Sequence, residues 1–302
     1  MRFVLLALTA LSAFAGMGAA EVLDGVLEVP VASSQDGYTE DQLAAITGGT
    51  VTEIKKTGAG TLTSKGIASF VGIIRVAEGV LKISDATGLG TAAGETIVES
   101  GATLHFDALS TGYTTYKSER YMIAGSGSTA FAEGTRGAIR ITGATCQLSH
   151  VTLSGNATIY SNQGFHFYDD GDSALDMGEG YALTLRSADS GNLDVELKLD
   201  RIVNPGNIEI YDARYFRPGQ TDMPGGPTHE VRLYGRTGVI NEHESANKTW
   251  TIARYGAGGY YSSWGRWDGA IENRGAGQLS FNVNAGKKLV IGKLTGSGAF
   301  VK

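Results

Sequence analysis

Ile54-Lys55-Lys56-Thr57-Gly58-Ala59-Gly60-Thr61-Leu62-Thr63 is the stretch whose reading decides the fold. Its glycines tolerate a positive φ at a turn, and the alternation behind them opens a strand. The pattern starts again at the far end of the chain. There, Gly296-Ser297-Gly298-Ala299-Phe300-Val301-Lys302 sets Phe300 and Lys302 where Ile54 and Lys56 stood. Between the two, Gly60, Gly79 and Gly101 follow one another at 19 and 22 residues, each before a short apolar–polar alternation. Gly101, Gly180 and Gly286 share a tighter signature, with apolar residues three and five positions on: Leu104 and Phe106, Leu183 and Leu185, Leu289 and Ile291. A turn with its strands repeating at such a spacing cannot bury a face alone, so successive coils must stack into a solenoid. With strands about 4.8 Å apart, roughly ten coils would make a rod on the order of 50 Å long.

Alternation dominates the rest of the chain. Leu193-Asp194-Val195-Glu196-Leu197-Lys198-Leu199-Asp200 places four apolar side chains on one strand face. Helical periodicity is confined to Thr39–Ile46, where Thr39 and Gln42 have capping-box spacing and Gly48-Gly49 can end the helix. This predicts a small helical element in an amino-terminal cap region, residues 21–53, ahead of a β-solenoid over 54–302. Four of the five prolines fall within 203–230 (Pro205, Pro218, Pro224, Pro227), which reads as a loop excursion because proline is excluded from central strands. A second excursion is expected near 255–269. Ala299-Phe300-Val301-Lys302 reads as a strand entering another coil, so the expectation is a solenoid incomplete at its carboxy end, with self-association through that coil.

The first twenty residues read as an export signal: Arg2, the apolar Phe3–Phe14, then Gly18-Ala19-Ala20 for cleavage. That run is shorter than the roughly 20 apolar residues of a membrane-spanning helix. Removing it leaves 302 − 20 = 282 residues and, with Arg2 gone, a net charge of 24 − 31 = −7. Mildly acidic and with its charges scattered, such a chain offers no electrostatic footprint for nucleic acid or anionic lipid, and with no longer apolar run downstream no membrane insertion by this chain is expected. Cys146 is the single cysteine, so no internal disulfide can form. The chain has 44 glycines, twice the usual share of about 7%, and only five prolines, a composition suited to many short strands and turns.

Residues 54–107 resemble the autotransporter-associated β-strand repeat of exported bacterial proteins. The resemblance runs through Lys56-Thr57-Gly58-Ala59-Gly60-Thr61-Leu62-Thr63, Gly72-Ile73-Ile74-Arg75-Val76-Ala77-Glu78-Gly79-Val80-Leu81, Gly88-Leu89-Gly90 and Val98-Glu99-Ser100-Gly101-Ala102-Thr103-Leu104. A second copy starts at Gly275-Ala276-Gly277-Gln278-Leu279-Ser280 and includes Ala285-Gly286-Lys287-Lys288-Leu289. The resemblance implies an all-β, right-handed parallel β-helix belonging to a passenger region at the cell surface or secreted. It carries over no catalytic residues, and the family's carboxy-terminal translocator barrel is not in this sequence.

Tyr255, Tyr260, Tyr261, Trp264 and Trp267, with Arg254, Arg266 and Asp268, are the densest group of binding-type side chains. Flat ring faces beside charged donors suit stacking on surface glycans or anchoring a protein partner; the same rings would also pin an excursion to the solenoid wall. Asp169-Asp170-Gly171-Asp172, Asp176 and Glu179 read as an acidic surface turn, without the order of a calcium loop. Asp194 and Glu196 share a strand face as an acid/base pair would, yet Lys198 and Asp200 continue the row as a charge ladder. His105, His150, His166, His229 and His243 show no metal-ligand spacing. Nothing in the sequence assigns a catalytic residue, a metal or a cofactor. The expectation is an exported, non-enzymatic structural or adhesive β-helix, the alternative being a carbohydrate-active β-helix, a lyase or hydrolase.

Overall fold

The computed structural model describes residues 21–107, 118–163, 165–167, 174–186, 194–197, 202–204, 206, 208–211, 215–218, 230–234, 265–273, 278–280, 289–295 and 299–301. Residues 1–20, expected as an export signal, lie outside these. The described chain is mostly β, with a single α-helix and a long sheet system that is parallel almost throughout.

Successive strands fall alternately into two parallel ladders. The first begins with Val26–Pro30, Glu53–Thr57, Ile73–Val76, Glu95–Val98 and Arg120–Gly125, and continues through the first half of His150–Ser161 to Ala174–Asp176 and Ile202–Val203. The second joins Ser34–Asp36, Thr61–Ser64, Val80–Ile83, Thr103–Asp107 and Ile139–Thr142 to the second half of His150–Ser161, then Leu183–Arg186, Ile208–Tyr211 and Glu230–Tyr234. A third ladder opens at Cys146–Leu148 and adds Phe165–Phe167, Asp194–Leu197 and Tyr215–Pro218.

Pairing in register stacks like on like. Leu27, Ile54, Ile74, Thr96, Tyr121, Val151 and Leu175 form one inner row, all buried. Leu62, Leu81, Leu104, Ile139, Ile159 and Leu185 form another, likewise buried. Leu81, Ile83, Leu104, Phe106, Leu183 and Leu185 thus all face the core as their alternation predicts. Leu289 and Ile291 lie in the strand Leu289–Thr295.

The quoted motif has a specific structural use. Lys56 sits in an inner row between Val29 and Val76 and is fully buried. Its ammonium has three N–H donors and meets three backbone carbonyls: Gly58 O, Gly60 O at 2.6 Å and Glu78 O at 2.7 Å. Gly58 and Glu78 belong to successive passes of the chain, and the Glu78 carboxylate accepts from Gly58 N at 3.1 Å. The two glycines serve different ends. Gly58 takes φ +77°, whereas a Cβ on Gly60 would stand 2.3 Å from Ser33 O on the preceding pass. Close approach, not a positive φ, therefore fixes Gly60.

The amino-terminal region, residues 21–53, carries ladder strands of its own. Both ladders already start inside it, at Val26 and Ser34, because Leu27 and Val29 extend the same inner rows. Ahead of them a two-residue Asp24-Gly25 turn, with φ +51° and +80°, folds Val22–Leu23 antiparallel onto the first strand. The helix Glu40–Thr47 forms as predicted, with Thr39 Oγ1 accepting from Gln42 N at 3.2 Å and Gln42 Oε1 accepting from Thr39 N at 2.9 Å.

Strands lie within both segments read as excursions. Ile208–Tyr211 and Tyr215–Pro218 are ladder strands within 203–230, with Pro218 the last residue of its strand. The proline-rich 219–229 lies outside the described residues. Gly265–Asn273 is a strand paired with Glu230–Tyr234 and Leu289–Thr295, so residues 265–267 belong to the ladders and the register shifts between Trp267 and Ala270. Ala299–Val301 pairs with Gln278–Ser280.

Two substitutions test this packing. Leu104→Ala should cost about 2–5 kcal/mol, the usual range for a buried leucine with its cavity. Lys56→Met keeps the volume but strands buried carbonyls, and should cost about 2–4 kcal/mol in urea denaturation. A Lys56→Met protein as stable as the parent would show that the carbonyl cage contributes nothing.

Candidate functional site

Outward-facing residues are stacked by the same register. In the second ladder Lys82, His105, Arg140, Tyr160 and Arg186 occupy one continuous row, which the backbone pairing extends to Tyr211 and Tyr234. Each is the residue next to the buried aliphatic of its strand, as in Leu81-Lys82-Ile83, Leu104-His105-Phe106 and Ile139-Arg140-Ile141. From Lys82 to Arg186, cations and aromatic rings thereby alternate about 4.8 Å apart along one face.

The centre of the row is tightly organised. The Arg140 guanidinium lies 4.3 Å from the Phe131 ring centroid and 5.0 Å from that of Tyr160. Arg140 Nη1 is 2.8 Å from His105 Nε2, and Thr142 Oγ1 is also 2.8 Å from that nitrogen. Arginine can only donate, so Nε2 accepts and the imidazole is the neutral Nδ1–H tautomer. Burial, with Arg140 and Lys82 adding to it against the opposing Asp107, lowers the His105 pKa to about 4. Lys82 Nζ sits 2.6 Å from Asp107 Oδ2 and holds that carboxyl below its ordinary value, with Thr142 Oγ1 3.0 Å from Oδ1.

A second titratable group is buried beside the first ladder, just ahead of Arg120–Gly125. Glu119 Oε1 accepts from Thr96 Oγ1 at 2.9 Å. Burial raises its pKa to about 7, with Glu95 adding to the rise and Thr96 opposing it. On the outer side of that ladder, Val71, Ile73, Ala92, Ala93, Glu95 and Arg120 border an open depression of about 440 Å³.

Of the residues singled out from the sequence, Tyr255, Tyr260, Tyr261, Trp264 and Arg254 lie outside the described residues. Arg266, Trp267 and Asp268 fall in the strand Gly265–Asn273, where Arg266 pairs with Val290 and Trp267 with Ile291. Asp169, Asp170 and Asp172 are likewise outside. Asp176 Oδ1 accepts from Gly178 N at 2.8 Å and Asn204 Nδ2 at 3.0 Å, so it ties a turn. Asp194 and Glu196 form part of the third ladder, with Asp194 opposite Tyr215 and Glu196 between His166 and Arg217. Among the described residues, no group of three or more His, Cys, Asp or Glu could hold a metal ion. Comparison of the chain with protein families, curated proteins and solved structures finds no match.

The cation–aromatic row was missed because its members are tens of residues apart and each looks like an ordinary polar position. Aligning the apolar pairs and reading the residue between them would have found it.

His105 and Glu119 give stability opposite dependences on pH. With its folded pKa near 4, below the ordinary 6.5, His105 leaves the unfolded chain to take up the proton first as pH falls. Stability is then lost between 6.5 and 4, by about 3 kcal/mol in all. Glu119 is raised from 4.5 to about 7, so the folded chain binds the proton first and stability grows as pH falls through that window. The two nearly cancel. In urea titrations at several pH values, His105→Gln should gain stability on acidification from pH 7 to 4.5, and Glu119→Gln should lose it from 6.5 to 4. Parallel profiles for both variants and the parent would contradict these environments.

Proposed function

We propose that this chain is an exported, non-enzymatic β-helix of passenger type, a structural or adhesive element at the cell surface or secreted. The observation that carries the reading is the use of the repeated motif. Lys56, Gly58, Gly60 and Glu78 are all engaged in joining one pass of the chain to the next. A motif whose invested residues build stacking contacts adds length and stiffness to a rod. The alternating parallel ladders, with a third starting at Cys146–Leu148, support a right-handed β-helix. Residues 1–20 would direct export, and the resemblance to the autotransporter-associated repeat agrees with a surface or extracellular site. Surface glycans or proteins are the expected partners, met through Tyr255, Tyr260, Tyr261, Trp264, Arg266 and Trp267, and self-association through the carboxy-terminal coil is a further expectation.

A carbohydrate-active reading draws on one specific feature, the register that sets Glu196 between His166 and Arg217. The two readings separate in one set of measurements. The full chain should be found outside the cytoplasm of a bacterial host, and removal of residues 2–20 should retain it inside. The purified protein should scatter X-rays as an elongated particle and bind cells or glycan surfaces without releasing reducing sugars or unsaturated products from acidic polysaccharides. Release that disappears in Glu196→Gln would overturn the non-enzymatic reading.

A further inference from the structure

Residues 126–137, between the strands Arg120–Gly125 and Ile139–Thr142, are laid as a strap over the outer face of the second ladder. The strap's ends meet, since a Cβ on Gly127 would stand 2.3 Å from Gly137 O. Six contacts hold it down. Ser128 N donates to Thr103 Oγ1 at 2.8 Å, and that hydroxyl donates to Gly137 O at 2.8 Å. The Phe131 ring meets His105 edge-on with centroids 5.5 Å apart and lies against the Arg140 guanidinium. Arg140 Nε donates to Thr135 O at 3.2 Å, and Arg186 Nη1 reaches Glu133 O at 3.5 Å. Two of the six therefore pass through Arg140, whose own seat depends on the lone pair of His105 Nε2.

We propose that the strap is an acid-released latch: protonation of His105 expels Arg140 from its seat and frees residues 127–137 while the ladders stay paired. A protonated Nε2 can no longer accept from Arg140 and sets two cations against each other at the present 2.8 Å contact. On the neighbouring strands, Thr142 Oγ1 at 2.8 Å can accept from the new Nε2–H, but it carries no charge to offset the two cations. Lys82 adds a third cation, and Asp107, the counter-charge at hand, is already engaged by Lys82 and Thr142. The strap's own charged residues are Glu133, which faces solvent, and Arg136, whose Nε donates to Phe131 O at 2.8 Å. The depressed proton affinity of His105 is the same coupling seen from the other side, for what keeps the proton off is what its arrival breaks. On either side, Leu104 and Ile141 point into the core and keep their backbone pairing, so release need not melt the ladders.

Hydrogen exchange tests the latch on the whole chain. After correction for intrinsic rates, the Ser128 and Thr135 amides should lose protection by roughly tenfold or more between pH 7 and pH 4, while Ile139–Ile141 keep theirs. His105→Gln retains an acceptor for Arg140 but cannot titrate, and should hold the strap's protection constant over that range. Arg140→Gln removes the cation to be expelled and should also make strap protection independent of pH, at a lower level. Unchanged wild-type protection at pH 4 would overturn the proposal without recourse to any variant. So would loss at the strap and at Ile139–Ile141 together, or an equal loss in His105→Gln.

Discussion

A buried ammonium must replace every water it gives up, and Lys56 does so with three carbonyls for three N–H donors. The rest of the architecture depends on that match. Its stem runs along an inner row that is otherwise aliphatic, with Val29 before it and Val76 after it, and its head reaches the Gly58–Gly60 turn and the Glu78 carbonyl of the next pass. Side chains alternate with period two, so a one-residue slip of Glu53–Thr57 would swing Lys56 to solvent and drive Lys55 inward. The lysine is thus a register pin, and an apolar residue in its place could fill the row without fixing the turn.

Register in turn decides what the outer surface can display. Once Leu81, Leu104 and Ile139 are stacked, Lys82, His105 and Arg140 are stacked too. The same holds in the first ladder, where Arg75 bridges Glu53 on one neighbouring pass at 2.7 Å and Glu99 near the next at 3.4 Å. Ion pairs at or near the surface each contribute little. Their use is directional, because opposite charges on successive passes favour one stacking order over others. Chemistry on a stacked surface therefore comes as rows, and a single residue read in isolation carries little of it.

This explains which features could be read from the sequence. The alternating strands, the Thr39–Gln42 capping box and the inward faces of Leu104 and Leu183 are set by neighbours in the chain, and local pattern shows them. The third ladder begins with three residues, Cys146-Gln147-Leu148, too few to display a period. The prolines of 203–230 hide two strands, because Pro218 closes one of them and breaks no pairing. The aromatic cluster from Tyr255 to Trp267 stood out for its density in sequence, whereas the row through His105, Arg140 and Tyr160 is dense only in space. The strap was invisible for the same reason: Phe131 meets His105, twenty-six residues before it, and Arg140, nine after it.

The strap also shows how such a fold can acquire something beyond length. Gly127 and Gly137 lie in contact, so the residues between them leave and rejoin the ladder at nearly one point, as in a compact surface loop closed at its base. An excursion of that form imposes no new spacing on the strands to either side: Arg120–Gly125 and Ile139–Thr142 keep the partners that their inner residues dictate. Closing a longer loop costs only slowly more with length, while shifting a strand would unseat a whole inner row. The division of labour follows from those two costs. Inner rows and the lysine cage conserve the stack, and variation that can respond to conditions, such as the His105–Arg140 contact, collects where a closed loop rests on an outer row.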